Sequence, residues 1–175
     1  MKVTKKYLFV LIGNDKTGKT TFQKKLIENL HGLTYDRLDR NNSFLLKSDN
    51  AEPDDVRISY ISRSYQESAE EYGTIENYFN NFFNQQDVAV VSSHLNVKQI
   101  ESIIEHGKRK FYNVVAVFFT NSIMQSPAVN ADISALNWDE RLIVDNPFVN
   151  GNELIDKQLA AAAKSFAKHL IEKML

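Results

Sequence analysis

The chain has no cysteine among its 175 residues. That excludes disulfides, thiolate metal sites and cysteine nucleophiles together, and it fits an intracellular protein. Charge of one sign is also missing: Lys and Arg number 21, Asp and Glu 22, and the formal net charge is −1. Such a chain lacks the cationic surface that non-specific binding along a nucleic-acid backbone requires. It can still hold one phosphate, or one strand end, in a pocket. No apolar run approaches the roughly 18 residues of a membrane span. Basic residues at the N-terminus lead into Tyr7-Leu8-Phe9-Val10-Leu11-Ile12, but that run stops at Gly13-Asn14-Asp15. It is too short for a signal-peptide core. No internal repeat, linker or low-complexity tract interrupts the chain. The expectation is one cytoplasmic domain over residues 1–175, with no membrane partner.

Hydrophobic residues make up 43% of the chain and charged residues 25%, which suffices for one buried core. Residues 5–12 read as a fully buried strand. Residues 19–30 read as a helix with Phe22, Leu26, Ile27 and Leu30 on one face, stopped by Gly32. A short strand is predicted over Leu33–Tyr35. A turn with a helix start follows at Glu52-Pro53-Asp54-Asp55, and a helix from Val56 to about Tyr72. Gly73 breaks it and Thr74 can cap the next, whose stripe of Ile75, Tyr78, Phe79, Phe82 and Phe83 reads as core packing. This helix over 74–84 is also the candidate surface for a homodimer.

Residues 88–93 form a second buried strand. A helix over 97–106 ends at Gly107, and Val114–Phe119 is a third buried strand. Residues 121–137 read as irregular. Leu142–Val144 is a last short strand. Asn152 then caps a long helix with Ile155, Leu159, Phe166 and Leu170 inward. Strands alternating with helices predict one parallel sheet covered on both faces.

Gly13-Asn14-Asp15-Lys16-Thr17-Gly18-Lys19-Thr20 fits G-x-x-x-x-G-K-[ST] without a mismatch. It joins a buried strand to an amphipathic helix, the context a phosphate-binding P-loop requires. Gly13 and Gly18 let the backbone turn tightly and approach an anion. Successive N–H groups and the helix dipole then face the phosphates. Lys19 reaches the β- and γ-phosphates, Thr20 offers its hydroxyl to Mg²⁺, and Thr21 is a further phosphate contact. No D-x-x-G or N-K-x-D of a GTPase stands in a suitable place. The strand ends Val91-Ser92-Ser93-His94 and Phe119-Thr120-Asn121 lack the acid of a motor ATPase.

The stretch Gly13–Thr21 resembles the P-loop of thymidylate kinases and related nucleotide kinases, which often read G-x-D-[basic]-[TA]-G-K-[ST]-T. The resemblance implies a three-layer P-loop NTPase fold, with a five-stranded parallel sheet in strand order 2-3-1-4-5. It implies an ATP- and Mg²⁺-dependent kinase. In one branch of that family the basic residue at the Lys16 position assists transfer while the lid lacks an arginine. Here residues 121–137 contain no Lys or Arg, and Arg141 is the nearest later cation. Arg63 stands where those kinases carry an arginine that holds the acceptor nucleotide. Its planar fork of donors suits a phosphate, and Arg37, in the charged segment 36–40 that follows the predicted second strand, is a further candidate acceptor contact, as is Arg141. Asp39 and Asp36, in the same segment, are both candidates to orient or deprotonate an acceptor hydroxyl, or to support Mg²⁺ through water. Asn146 and Phe148 fall where such kinases close over adenine.

One departure bears on the acceptor. Thymidylate kinases carry Asp-Arg where this chain has Ser92-Ser93-His94. That segment looks somewhat like the corresponding turn of polynucleotide kinases, which makes Ser93 and His94 candidate acceptor contacts. The acceptor is a nucleoside or nucleotide, or else a polynucleotide 5′ end or a modified base in DNA. A nucleotide-binding regulatory protein with little catalysis is the alternative of a different class.

Overall fold

The computed structural model describes residues 5–46, 56–83 and 86–174. The turn and helix start expected at 52–55 lie outside the described residues. Strand β1 (Tyr7–Ile12) is buried along its whole length. Its side chains alternate between two cores. Tyr7, Phe9 and Leu11 enter one, and Leu8, Val10 and Ile12 enter the other. An uninterrupted apolar strand is what a sheet covered on both faces demands.

Helices α1 (Lys19–His31) and α7 (Asn152–Met174) cover one face. Phe166 of α7 meets Phe9 and Phe22 edge-on, with ring centroids 5.0 and 5.4 Å apart. Each such pair adds about 0.5–1.5 kcal/mol beyond its burial. Gly32 closes α1 in the left-handed conformation at φ 66°. The other face is covered by α3 (Ile75–Phe82), α4 (Val97–Arg109) and α6 (Pro127–Ser134). The Thr74 hydroxyl accepts from the Asn77 N–H and caps α3. Tyr78, Phe79 and Phe83 of the aromatic stripe are core residues.

The remaining strands are β2 (Asn41–Leu46), β3 (Val56–Ile61), β4 (Val88–Ser93), β5 (Asn113–Phe119) and β6 (Glu140–Val144). Among the described residues the sheet has six strands in the order β2-β3-β4-β1-β5-β6. Only β2 runs antiparallel, paired with β3 at the edge. The five parallel strands stand in the expected order, but the second of them is β3. Leu33–Tyr35 is not a strand, and the helix expected from Val56 to Tyr72 is β3, a tight turn and the short α2 (Ala69–Tyr72).

The physical reason lies in Val56-Arg57-Ile58-Ser59-Tyr60-Ile61. It is β-branched and aromatic, and it sends Ile58 and Tyr60 to one core and Ile61 to the other. Residues 121–137 also differ from expectation, forming the end of α5 (Thr120–Gln125) and α6. Pro127 opens α6, where its missing N–H does no harm. Gly107 does not end α4, which continues to Arg109. A Cβ at Gly107 would come within 2.9 Å of Leu8 and 3.0 Å of Val114, so the glycine seats the helix on the sheet. Helix α7 starts at Asn152 rather than after it, and Ile155 is exposed rather than inward. Among the described residues, no helix is long and apolar enough to cross a membrane.

Candidate nucleotide-binding site

Parallel strands direct their carboxyl ends to one side of the sheet, and the phosphate loop sits there between β1 and α1. Two residues of the loop adopt left-handed backbone, Lys16 at φ 60° and Gly18 at φ 98°. Gly18 has a second constraint: a Cβ there would lie 2.8 Å from Leu159 of α7. Gly13 faces Thr17 as closely, since a Cβ would lie 2.7 Å from its hydroxyl.

The loop is braced from behind. The Thr17 carbonyl accepts from the side-chain amides of Asn121 at 3.2 Å and Asn146 at 2.9 Å. These asparagines follow β5 and β6. The Asn14 N–H donates to the Ser122 hydroxyl at 3.3 Å, and its side chain donates to Gln125 and Ser126. The Thr17 hydroxyl donates to the Asn14 carbonyl at 2.9 Å. Lys19 folds back onto the loop and donates to the Gly13 and Asn14 carbonyls at 2.6 and 2.7 Å. Burial lowers its pKa to about 8, against the opposing pull of the Asp15 and Glu67 carboxylates.

In front of the loop is a cavity of about 310 Å³, walled by Asp15, Lys16, Lys19, Thr20, Glu67 and His94 among others. Thr21 and Ile155 also line it. A second cavity of about 280 Å³ is lined by Lys24, Arg37, Leu38 and Arg63. The two share Thr20, Ser62 and Glu67 in their walls. Thus Arg37 and Arg63, expected as acceptor contacts, stand together beside the phosphate loop. His94 lies in the first cavity between two acids, with Nδ1 3.5 Å from Asp15 and Nε2 3.6 Å from Glu67.

Other sequence candidates are placed elsewhere. Ser93 is fully buried, accepts from Gln66 and donates to the His94 carbonyl, so it does not wall the cavity. Arg141 donates to the Ser134 and Leu136 carbonyls at the end of α6, which uses its guanidinium there. Asp36 lines a separate cavity with Lys25, Glu28 and Asp156. Its backbone carbonyl accepts from Lys24. Asp39 is exposed, and its carbonyl accepts from the Ser62 hydroxyl at 3.0 Å. Neither acid walls the phosphate cavity. Asn146 is buried behind the loop, while Phe148 is 61% exposed.

Several residues emerge only in three dimensions: Asn121, Ser122, Gln23 and above all Glu67. The Ser64 N–H and hydroxyl both donate to one Glu67 carboxylate oxygen, and the Glu67 N–H donates back to the Ser64 hydroxyl. Ser64-x-x-Glu67 is a capping-box pattern, a signal readable in the sequence. Asp15, Glu67 and His94 bring ligand atoms within 4.8 Å of one another. With the Thr20 hydroxyl, the two carboxylates supply the hard oxygen donors that suit Mg²⁺.

Strand order, parallel pairing and a phosphate loop between β1 and α1 make this a P-loop NTPase fold. No family model and no curated protein matches the chain. Among solved structures it is similar to a de novo designed protein with a P-loop NTPase fold, at 11% identity and a TM-score of 0.46, covering 94% of this chain and 92% of that one. It is also similar to APE1195, at 14% identity and a TM-score of 0.45, covering 98% of this chain and 99% of that one. Likeness at this level adds nothing to the strand order, on which the fold rests.

Proposed function

We propose that the chain is an ATP- and Mg²⁺-dependent phosphotransferase of the nucleotide-kinase type. The observation that carries this reading is the meeting of two cavities at Thr20, one built on the phosphate loop and one on Arg37 and Arg63. A kinase needs a donor site and an acceptor site that share a boundary, so that the two reacting groups are held in contact.

In this reading the loop's N–H groups after Asn14 bind the ATP phosphates. Lys19 leaves the Gly13 and Asn14 carbonyls for the phosphate oxygens. Lys16, exposed at the rim of the loop, adds charge to the transferred group. The bound cation, held from Thr20, supplies charge neutralisation when present. Arg37 and Arg63 hold the acceptor, and two guanidiniums favour one that already carries a phosphate, a nucleoside monophosphate. Little covalent chemistry falls to the protein, which positions the groups and screens their charge.

Incubation with γ-labelled ATP, Mg²⁺ and a panel of nucleosides, nucleoside monophosphates and oligonucleotides tests the reading. Label is expected on a monophosphate and is expected to disappear in Lys19→Ala. Label on oligonucleotide 5′ ends alone would make the acceptor a polynucleotide. ATP binding with no labelled acceptor would sink the kinase and leave a nucleotide-binding regulatory module.

A further inference from the structure

A metal–nucleotide bound at a phosphate loop is held by one or two carboxylates besides its phosphates and waters. The ends of β4 and β5 carry none. At β4 the place is closed by amides. The Ser92 hydroxyl accepts from Gln23 at 3.2 Å, and the Ser93 hydroxyl accepts from Gln66 at 3.1 Å. The Gln66 side-chain carbonyl in turn accepts from the His94 N–H at 3.3 Å. Gln66 therefore pins the loop after β3 across the end of β4, and its neighbour Glu67 arrives in the phosphate cavity.

Two features suit Glu67 to a cation. One carboxylate oxygen is fixed by the Ser64 N–H and hydroxyl at 3.0 and 3.1 Å, so the group is held in place. The other stands 3.6 Å from His94 and 3.8 Å from Arg63. Burial pushes the carboxyl pKa up, but the Ser64 hydrogen bonds and the charges of His94 and Arg63 together bring it below the usual carboxylate value. The side chain of Asp15 is 81% exposed, against 36% for Glu67. Both line the cavity, but Glu67 is the less solvated of the two and the one fixed by Ser64.

We propose that Glu67 is the carboxylate that supports the divalent cation beside Thr20, in place of an acid at the end of β4. Gln66 is its positioning residue. This rests on the nucleotide reading above and adds to it the acid that the strand ends lack.

The test is the affinity for a fluorescent ATP analogue, measured with Mg²⁺ and with EDTA, on the intact protein. Wild type is expected to bind more tightly with Mg²⁺. Glu67→Gln is expected to lower the ratio of the two affinities by about tenfold or more. Its binding in EDTA is expected to be unchanged or tighter, because a carboxylate that repels phosphate is gone. Retained EDTA binding also serves as the folding control. Glu67→Asp keeps part of the ratio, and Gln66→Ala lowers it with a smaller effect. A wild-type ratio in Glu67→Gln overturns the proposal, as does an equal loss with and without Mg²⁺. Wild type that binds ATP indifferently to Mg²⁺ overturns it while nucleotide binding stands. Wild type that binds no ATP defeats the nucleotide reading and this proposal together. A lowered ratio in a protein that transfers no phosphate leaves Glu67 in its role and removes the kinase.

Discussion

The two cavities that meet at Thr20 are walled by different means. The phosphate cavity is walled by the phosphate loop, the first turn of α1, the end of β4 and one face of α7, with Ser62 and Glu67 reaching it from the segment after β3. Its loop is tied from behind by Asn121 and Asn146, both on the Thr17 carbonyl. Apart from Thr20 and Lys24 of α1, the arginine cavity is built on loops. Arg37 and Leu38 come from the segment after α1, and Ser62 and Arg63 from the segment after β3. Those two segments are joined by bonds to backbone: the Ser62 N–H donates to the Arg40 carbonyl at 3.1 Å, and its hydroxyl to the Asp39 carbonyl at 3.0 Å. A site set in packed elements is preformed. A site carried on surface loops by long charged side chains can adapt to its ligand. On the proposed kinase reading, the first cavity would take the ATP phosphates and the second would set acceptor choice.

The largest expected effect breaks the first cavity alone. Lys19→Ala removes the ammonium that donates to the Gly13 and Asn14 carbonyls, and ATP affinity is expected to fall about a hundredfold or more, roughly 2.7 kcal/mol. Fluorescence titration reads it directly, and affinity within threefold of wild type would contradict the assignment. Arg63→Ala acts on the other cavity. The acceptor KM is expected to rise about tenfold, the loss of one charged hydrogen-bonding partner, with the ATP KM within twofold. Equal shifts in both would merge the two sites. Asn146→Ala tests the brace. It leaves the Thr17 carbonyl one donor fewer, at about 1 kcal/mol of stability, with a severalfold loss of ATP affinity and no change in acceptor KM. Urea melts and the same titrations measure both.

A further effect is a slope. Folding lowers the Lys19 pKa from 10.5 to about 8. Between those values the unfolded chain keeps a proton that the native site releases, so this group makes stability rise with pH across that window. Below about pH 8 both states hold the proton, and the cost of the buried cation is constant. The unfolding free energy of wild type minus that of Lys19→Met is therefore expected to increase between about pH 8 and 10.5. A flat difference across the window would mean that the ammonium is not desolvated by the loop.

The same contrast explains what was legible in the sequence. The phosphate loop is contiguous and is specified by backbone geometry, so eight adjacent residues from Gly13 to Thr20 disclose it. The parallel sheet covered on both faces followed from alternation of strands and helices, and its strand order from the resemblance to nucleotide kinases. The brace was not legible, because Asn121 and Asn146 lie 104 and 129 residues from Thr17 and only the sheet brings them together. Glu67 was hidden by reading Val56–Tyr72 as one helix, which placed it on a helix face. Ser64-x-x-Glu67 inside that span marks a helix start and argues for a break there. Asp36 and Asp39 were chosen because they follow a segment read as a strand. With β3 in that position, the loop that reaches the cavity is the one after Ile61.

The central claim is that donor and acceptor cavities adjoin at Thr20. Dinucleoside pentaphosphates test it most directly, with adenosine at one end and each common nucleoside in turn at the other. One of them spans both cavities and is expected to bind at least about a hundredfold more tightly than ATP, with the gain lost in Arg63→Ala. If every linked compound binds no better than ATP, the two cavities do not serve one reaction.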